Sequence, residues 1–495
     1  MFLQPLRVVS LVTICCATQA IAQEDELLQE VVSWGRAIDL IGAADSASQG
    51  IVGYDDLSTR PILRVGELVE VVPGLIATQH SGGGKANQYF LRGMNLDHGT
   101  DFSIQFEGMP VNFRTHAHGQ GYLDMNFIIP ELVKTIEYRK GTHTADVGDF
   151  SAAASTRFDT YDRLDNGFAE VTIGTEEYQR LVAANSWDTN NGSWLGGLEI
   201  QYSDGPWENP ENTERYNGML KYSTDFGDYA AEFMATAYSN SWNATDQIPQ
   251  RAVDDGTLDR FGFVDPSVGG KSHRYNLIAN FTSETTYLQA FATSYGLNLF
   301  GNPTYFLNDP VNGDQIEQED SRTIVGGRAD RSWPIEWRDS PVEIRAGADV
   351  RYDMISKVNL FNTSLRQRLN TVRDDSVDEF SIGAYAEIEV FWTDKFRTIF
   401  GLRGDAFQWD VNSDIVENSG SGSESTVNPK FSMAWTPNEQ WELYANYGTG
   451  FHSNDVRAAE LTVDPITGEP AESFDVVVDA TGFETGFRAT LHERL

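Results

Sequence analysis

The sequence predicts a mainly β protein in which an N-terminal α+β domain precedes an antiparallel transmembrane β-barrel. Three observations carry that expectation. From about Gly167 onward apolar and polar residues alternate, as in Val342, Ile344, Ala346, Ala348 and Val350 interleaved with Glu343, Arg345, Asp349 and Arg351. A period of two puts the two sets on opposite faces of a strand. Several such runs, including Ile382 to Val390 and Phe396 to Ala406, last about ten residues, the length a tilted membrane-spanning strand requires. Many end in aromatics such as Trp392, Trp409, Trp435 and Trp441, where an interfacial girdle would sit.

Composition agrees. The 495 residues carry 36 Lys plus Arg against 73 Asp plus Glu, a formal charge of −37, with 28 Phe, 19 Tyr and 11 Trp. A surface this acidic repels phosphate, which argues against a nucleic-acid partner. So many aromatics argue against disorder. Beyond the first residues no apolar run reaches the roughly 18 residues of a membrane helix, and the mean hydropathy is −0.38. In a barrel the charged residues face a wet lumen, so a membrane protein can have negative hydropathy.

Taken in order, residues 1–22 read as a secretory signal, with Arg7, an apolar stretch from Val8 to Cys16 and small residues at Ala20-Ile21-Ala22. Both cysteines, Cys15 and Cys16, fall inside it. Disulfides, a Cys-ligated zinc and a Cys nucleophile are therefore excluded from the mature chain. A polar leader occupies 23–37. Over 38–160 the texture is that of a compact mixed domain: Val65, Leu68, Val69 and Val72 form one helical face that Pro73-Gly74 stops. Strands are expected at Gln88 to Arg92, Phe102 to Glu107 and Thr135 to Arg139. About fourteen barrel strands are expected over 165–495, with short turns alternating with long polar loops.

The N-terminal residues resemble the TonB-dependent receptors of the Gram-negative outer membrane. Glu30-Val31-Val32-Ser33 looks like a TonB box, and Val65 to Leu75, with Pro73 and Gly74, like the family's "L-x-x-x-P-G-V" turn. Tyr89-Phe90-Leu91-Arg92-Gly93 is similar to "I-x-I-R-G", Phe106 to Val111 with Gly108 and Pro110 to "D-G-V-P", and Ile136 to Gly141 to "I-E-V-x-R-G". The resemblance implies a plug inside a 22-stranded barrel, so that this chain, with about fourteen strands and no closing aromatic end, is expected to be a C-terminally truncated member. It implies a monomer in outer-membrane lipid, with a TonB-type inner-membrane complex engaging Glu30, Val31, Val32, Ser33 and Trp34. The expected function is energy-coupled uptake of a scarce bulky solute, a ferric siderophore or other metal complex, with no permanently bound cofactor and no catalysis. An oligosaccharide, a peptide, cobalamin, a passive porin and a barrel hydrolase are the alternatives.

Five of the eight histidines, His80, His98, His116, His118 and His143, lie in the expected plug. His116 and His118, two apart on a segment read as extended, would point the same way and could meet a metal complex. With His80, His98, Arg114, Gln120 and Tyr122 they are the candidate ligand residues; no resident metal site is expected. His80 to Lys85 is read as a flexible plug apex, since Ala86 replaces the Ser/Thr of a phosphate loop. Arg92, Gly93, Gly108, Pro110 and Gly141 are expected to be structural, with Arg92 bracing the plug against wall carboxylates.

Overall fold

A computed structural model describes residues 40–80 and 82–490. The signal segment, the leader and the box-like Glu30 to Trp34 lie outside the described residues. The N-terminal domain holds β1 (Gln49–Gly53), β2 (Leu75–Thr78), β3 (Gln88–Leu91), β4 (Met94–Asn95), β5 (Phe102–Phe106), β6 (Met109–Pro110), β7 (Val133–Lys140) and β8 (Ala154–Thr160). One sheet runs β1-β7-β8-β5-β6 and a second runs β2-β3-β4. The helix expected at Val65 forms as a 3₁₀ turn, Val65–Val71. Pro73 forces Val72 to extended φ/ψ, and a run this short closes on the tighter ladder. Glu67 caps its start, accepting from the Leu63 and Arg64 N–H groups at 2.9 and 3.2 Å.

The two hairpins legible in the motifs have left-handed residues at both turn positions, Arg92 (φ 53°) with Gly93 (φ 82°) and Glu107 (φ 51°) with Gly108 (φ 82°). Such paired turns match the twist of tight hairpins. At Gly108 a side chain would also collide with Tyr287 and Gln289 of the wall, 2.3 and 2.6 Å from a built Cβ.

The barrel sheet comprises β9 (Phe168–Ile173), β10 (Gln179–Thr189), β11 (Gly192–Ser203), β12 (Thr213–Phe226), β13 (Tyr229–Asn243), β14 (Gly269–Thr282), β15 (Thr286–Gly301), β16 (Ile316–Trp337), β17 (Ser340–Ser364), β18 (Gln367–Arg373), β19 (Asp375–Thr393), β20 (Phe396–Ser413), β21 (Gly420–Asn438), β22 (Trp441–Ser453) and β23 (Val477–Ala489). Each pairs antiparallel with its neighbour in sequence, except that β18 folds back on β17, which itself pairs β19. Among the described residues β9 and β23 do not pair with each other. No described helix is long and apolar enough to cross a membrane.

Alternation along the strands sorts chemistry as expected. On β19 and β20, Ile382, Ile388, Phe400 and Leu402 are exposed on the outer, lipid-facing surface, while Glu379, Ser381, Arg403 and Asp405 are buried inward. Trp333, Trp337, Trp392 and Trp435 form an exposed aromatic belt near the short turns. Trp409 departs from expectation: it points inward, its indole donating to Glu460 at 2.7 Å, because at this height the loop after β22 closes over the lumen and offers it an acceptor. Short turns (residues 227–228 and 338–339) lie at one rim; long connections (residues 244–268, 302–315 and 454–476) lie at the other.

The N-terminal domain fills the sheet's concave side and shares one apolar core with it, from Leu68, Phe106 and Ile136 to Tyr238, Trp242 and Tyr295. Polar groups seal the joint. Arg274 lies over the rings of Phe113 and Phe127 at 5.0 and 4.5 Å, Lys430 donates to the Thr142 carbonyl at 2.6 Å, and Glu387 accepts from the Ala145 N–H at 2.9 Å. His143, held neutral by burial and by Arg139 and Lys430, is pushed down to about 4. The unfolded chain binds that proton near pH 6.5, so this contribution is complete above about 6.5 and is lost as pH falls towards 4. In chemical denaturation, His143→Gln is expected to flatten the acid-side loss of stability by on the order of 2–3 kcal/mol between those limits; an unchanged slope would assign the loss to other groups.

Candidate functional site

Four of the five plug histidines, His80, His98, His116 and His118, gather at the long-loop rim, and they do so through contacts from both domains. Gly82 and Gly84 lie flat on Trp242 at the end of β13: a built Cβ would stand 2.6 and 2.0 Å from the indole. The glycines are thus a matter of close approach, and Gly82 to Lys85 is seated on the wall instead of forming a loose apex. Tyr122, fully buried, accepts from the Ala86 N–H at 3.0 Å. Around this tyrosine stand His98 (5.9 Å between centroids), His118 (5.6 Å) and His116 (4.1 Å, stacked). His80 and His98 are 5.2 Å apart, His98 and His118 4.7 Å.

The residues around His116 and His118 form bends instead of an extended strand, so the two rings do not share a face. His116 is 1% exposed, sandwiched between Tyr122 and Phe113 (5.7 Å, 16°), and its Nδ1 accepts from the His118 N–H at 3.1 Å. It is core. Arg114, likewise expected at the ligand face, is buried: it donates to Asp149 at 2.8 Å and to Ser381 of β19 at 2.7 Å, bracing plug to wall. Gln120 offers its carbonyl to the Thr100 hydroxyl at 3.3 Å and is half-buried at the margin. Arg92 is exposed at the left-handed position of its hairpin turn (φ 53°), and among the described residues no ion pair joins it to a wall carboxylate.

Three participants were missed as ligand residues. Lys85 is 7% exposed and, among the described residues, has no hydrogen-bond or ion-pair partner. Burial pushes it down to about 8. Asn87 accepts from His98 Nδ1 at 2.9 Å, and Gln318 of β16 from His118 Nδ1 at 2.8 Å. Burial, with Lys85 nearby, pushes His98 down to about 4 and His118 well below the usual range, so both rings are neutral near pH 7. Among the described residues no three His, Cys, Asp or Glu side chains converge as metal ligands. A cavity of about 430 Å³ beside β18 is different in kind: Lys357 and Arg368 in its lining pair with Glu319 at 2.9 and 3.2 Å, so its cations are already paired.

At the opposite rim the chain enters the lumen beside the short turns. Gly42 N–H donates to Glu442 at 2.8 Å and Arg488 to the Ser46 carbonyl at 3.1 Å. The start of the described chain thus lies at the short-turn rim and the plug histidines His80, His98 and His118 at the long-loop rim, the arrangement of a plugged outer-membrane barrel.

The comparisons with known proteins are of one kind. The family model "TonB dependent receptor-like, beta-barrel" matches residues 201–469 and the "TonB-dependent Receptor Plug Domain" model matches 43–155. The chain belongs to the TonB-dependent receptor family, whose members are transporters and receptors of the Gram-negative outer membrane. A heme transporter, BhuA of Brucella ovis, is 23% identical over 418 residues, covering 80% of this chain and 56% of that protein. The chain thus spans little more than half the length of that curated relative. Among solved structures, the ferric citrate transporter FecA superposes with a TM-score of 0.73 (15% identity, 90% of this chain, 68% of FecA). The copper transporter OprC gives 0.68 (14%, 90% and 70%) and the ferric yersiniabactin receptor FyuA of Yersinia pestis 0.65 (15%, 91% and 70%).

Proposed function

We propose that the protein is an energy-coupled outer-membrane receptor that takes up a bulky metal complex, with Glu30 to Trp34 as the segment a TonB-type inner-membrane partner seizes. The observation that carries this reading is the plug itself. It fills the lumen and is hydrogen-bonded to the wall at both rims, so a solute that docks on the long-loop face passes only if work displaces the plug. A passive porin needs no such domain. The outer membrane holds neither ATP nor a sustained potential, so the work is imported, and a short strand added to a partner's sheet edge transmits it through main-chain hydrogen bonds. The metal-complex cargo draws support from the histidine face and from the named cargoes of the relatives: heme, ferric citrate, copper and ferric yersiniabactin.

Deleting Glu30 to Trp34 is expected to abolish uptake while leaving surface binding intact, and a protonophore is expected to do the same to the intact protein. Uptake of a labelled iron or copper complex by cells producing each form is the measurement. Uptake indifferent to both treatments would overturn the coupled-transport reading.

A further inference from the structure

The hydrogen bonds at the histidine face decide where the ring protons are. A backbone carbonyl only accepts, so the 2.9 Å contact with the Asn87 oxygen puts the His98 proton on Nδ1 and leaves Nε2 with its lone pair. At His118 the partner is the Gln318 amide. Its nitrogen donates to the Ala117 carbonyl at 2.9 Å, so its oxygen faces His118 Nδ1 and that ring too has a bare Nε2. An imidazole whose Nδ1–H is held by a carbonyl oxygen while Nε2 stays open is the arrangement of metal-binding histidines. His116, whose Nδ1 accepts from the backbone, has the opposite tautomer, with its Nε2–H buried 3.8 Å from Asp320.

The number of donors then limits the ligand. Two imidazoles, with no third side chain converging among the described residues, make a poor cage for a bare ion, which structural sites hold with four ligands. They suffice to finish the coordination of a metal whose other positions a chelator fills. Lys85 adds a buried ammonium that Asp246 and Asp97 favour only through space; among the described residues no carboxylate contacts it directly, so an anionic group can still dock on it. Asp97, largely exposed, stands 3.7 Å from His98 Nε2, and Asp246 is the second carboxylate that faces His80 and Lys85.

We propose that His98 and His118 capture, through Nε2, a transition-metal ion carried in a small anionic chelate with two adjacent open positions, while Lys85 pairs with a carboxylate of the chelator. This rests on the uptake reading in taking the long-loop face as the one that meets cargo. The step is ligand exchange: two metal–water bonds break, two metal–nitrogen bonds form, both waters leave and no oxidation state changes. A chelate that saturates its metal has no position to give. A planar macrocycle leaves positions only on opposite faces, which two side chains rising from one plug surface do not span.

The test uses the purified full chain in detergent with Cu(II)–nitrilotriacetate, which leaves two adjacent positions open, and Cu(II)–EDTA, which leaves none. Saturable binding of the first alone is expected, with an electron paramagnetic resonance signal split by two imidazole nitrogens. His98→Gln and His118→Gln are each expected to weaken it about 10- to 100-fold, and so is Gln318→Met, which never touches the metal but releases the His118 tautomer. Lys85→Met weakens the nitrilotriacetate complex and spares cationic Cu(II)–diethylenetriamine. His273→Gln, on the outer surface of β14, changes nothing. Equal binding of the EDTA complex, or an unaltered nitrogen signal in the His98→Gln/His118→Gln double variant with its melting unchanged, overturns the proposal. Deleting Glu30 to Trp34 leaves this binding intact, so box-dependent uptake without copper-chelate capture sinks only the present inference, and capture without box-dependent uptake sinks only the transport reading.

Discussion

Lys221→Met is expected to loosen the plug by about 3–5 kcal/mol, the penalty for leaving a buried carboxylate without its cation. Lys221 of β12 reaches inward to Glu107 in the β5–β6 hairpin at 3.2 Å, to Asp162 at 2.7 Å and to Glu232 at 3.5 Å. Lys221 is 1% exposed and Glu107 3%, so water cannot take over the lost contact. Glu107 is also tied to the Thr160 N–H at 2.7 Å, and its carbonyl accepts from Gln289 at 2.6 Å; the hairpin would be destabilised at its centre. Hydrogen exchange at the amides of β5 and β8 reports this directly, and protection there is expected to fall while that of β19 and β20 holds. Adding Glu107→Gln should recover part of the loss, because it removes the uncompensated charge. If the double variant is as loose as the single one, lost packing of the lysine stem is the cause.

How much of this was legible follows from which contacts are local in the chain. The barrel strands could be read because lipid outside and water inside impose a period of two on every strand, whatever its partners. The β3–β4 and β5–β6 hairpins could be read because Arg92-Gly93 and Glu107-Gly108 state their own turn geometry. The histidine face is different. His118 and Gln318 lie 200 residues apart, and they meet only because the register of β16 sets that side chain at the height of the plug apex. The same applies to Arg114, whose Ser381 partner is 267 residues away: a plug arginine has one appearance in sequence whether it braces the wall or meets cargo. Spacing two was misleading for His116 and His118 because it implies a shared face only on an extended segment, and the backbone there bends. Lys85 was hidden by its glycines, which read as freedom until Trp242 is placed against them.

That indole is also where the second large effect is expected. Trp242 is 2% exposed and fills the space that side chains at Gly82 and Gly84 would otherwise occupy. Trp242→Ala is expected to cost about 3–5 kcal/mol, as removal of a large buried aromatic does, and to release the segment bearing His80 and Lys85. Gly84→Val attacks the same joint from the other side: with a built Cβ 2.0 Å from the ring, the loop must lift, at a cost of about 1–3 kcal/mol. If shape is what seats the apex, the two changes should not add. In the double variant the valine enters the void left by the indole, so the pair should be more stable than the sum of the singles by about 0.5–3 kcal/mol. Melting of all four proteins measures the cycle, with exchange at the amides of residues 82–86 locating the change. Additive losses would mean that the glycines serve backbone conformation alone, which Gly82, at φ 90°, requires but Gly84 does not. The seat would then belong to Tyr122, whose hydroxyl holds the Ala86 amide, and Tyr122→Phe would be the change that frees Lys85.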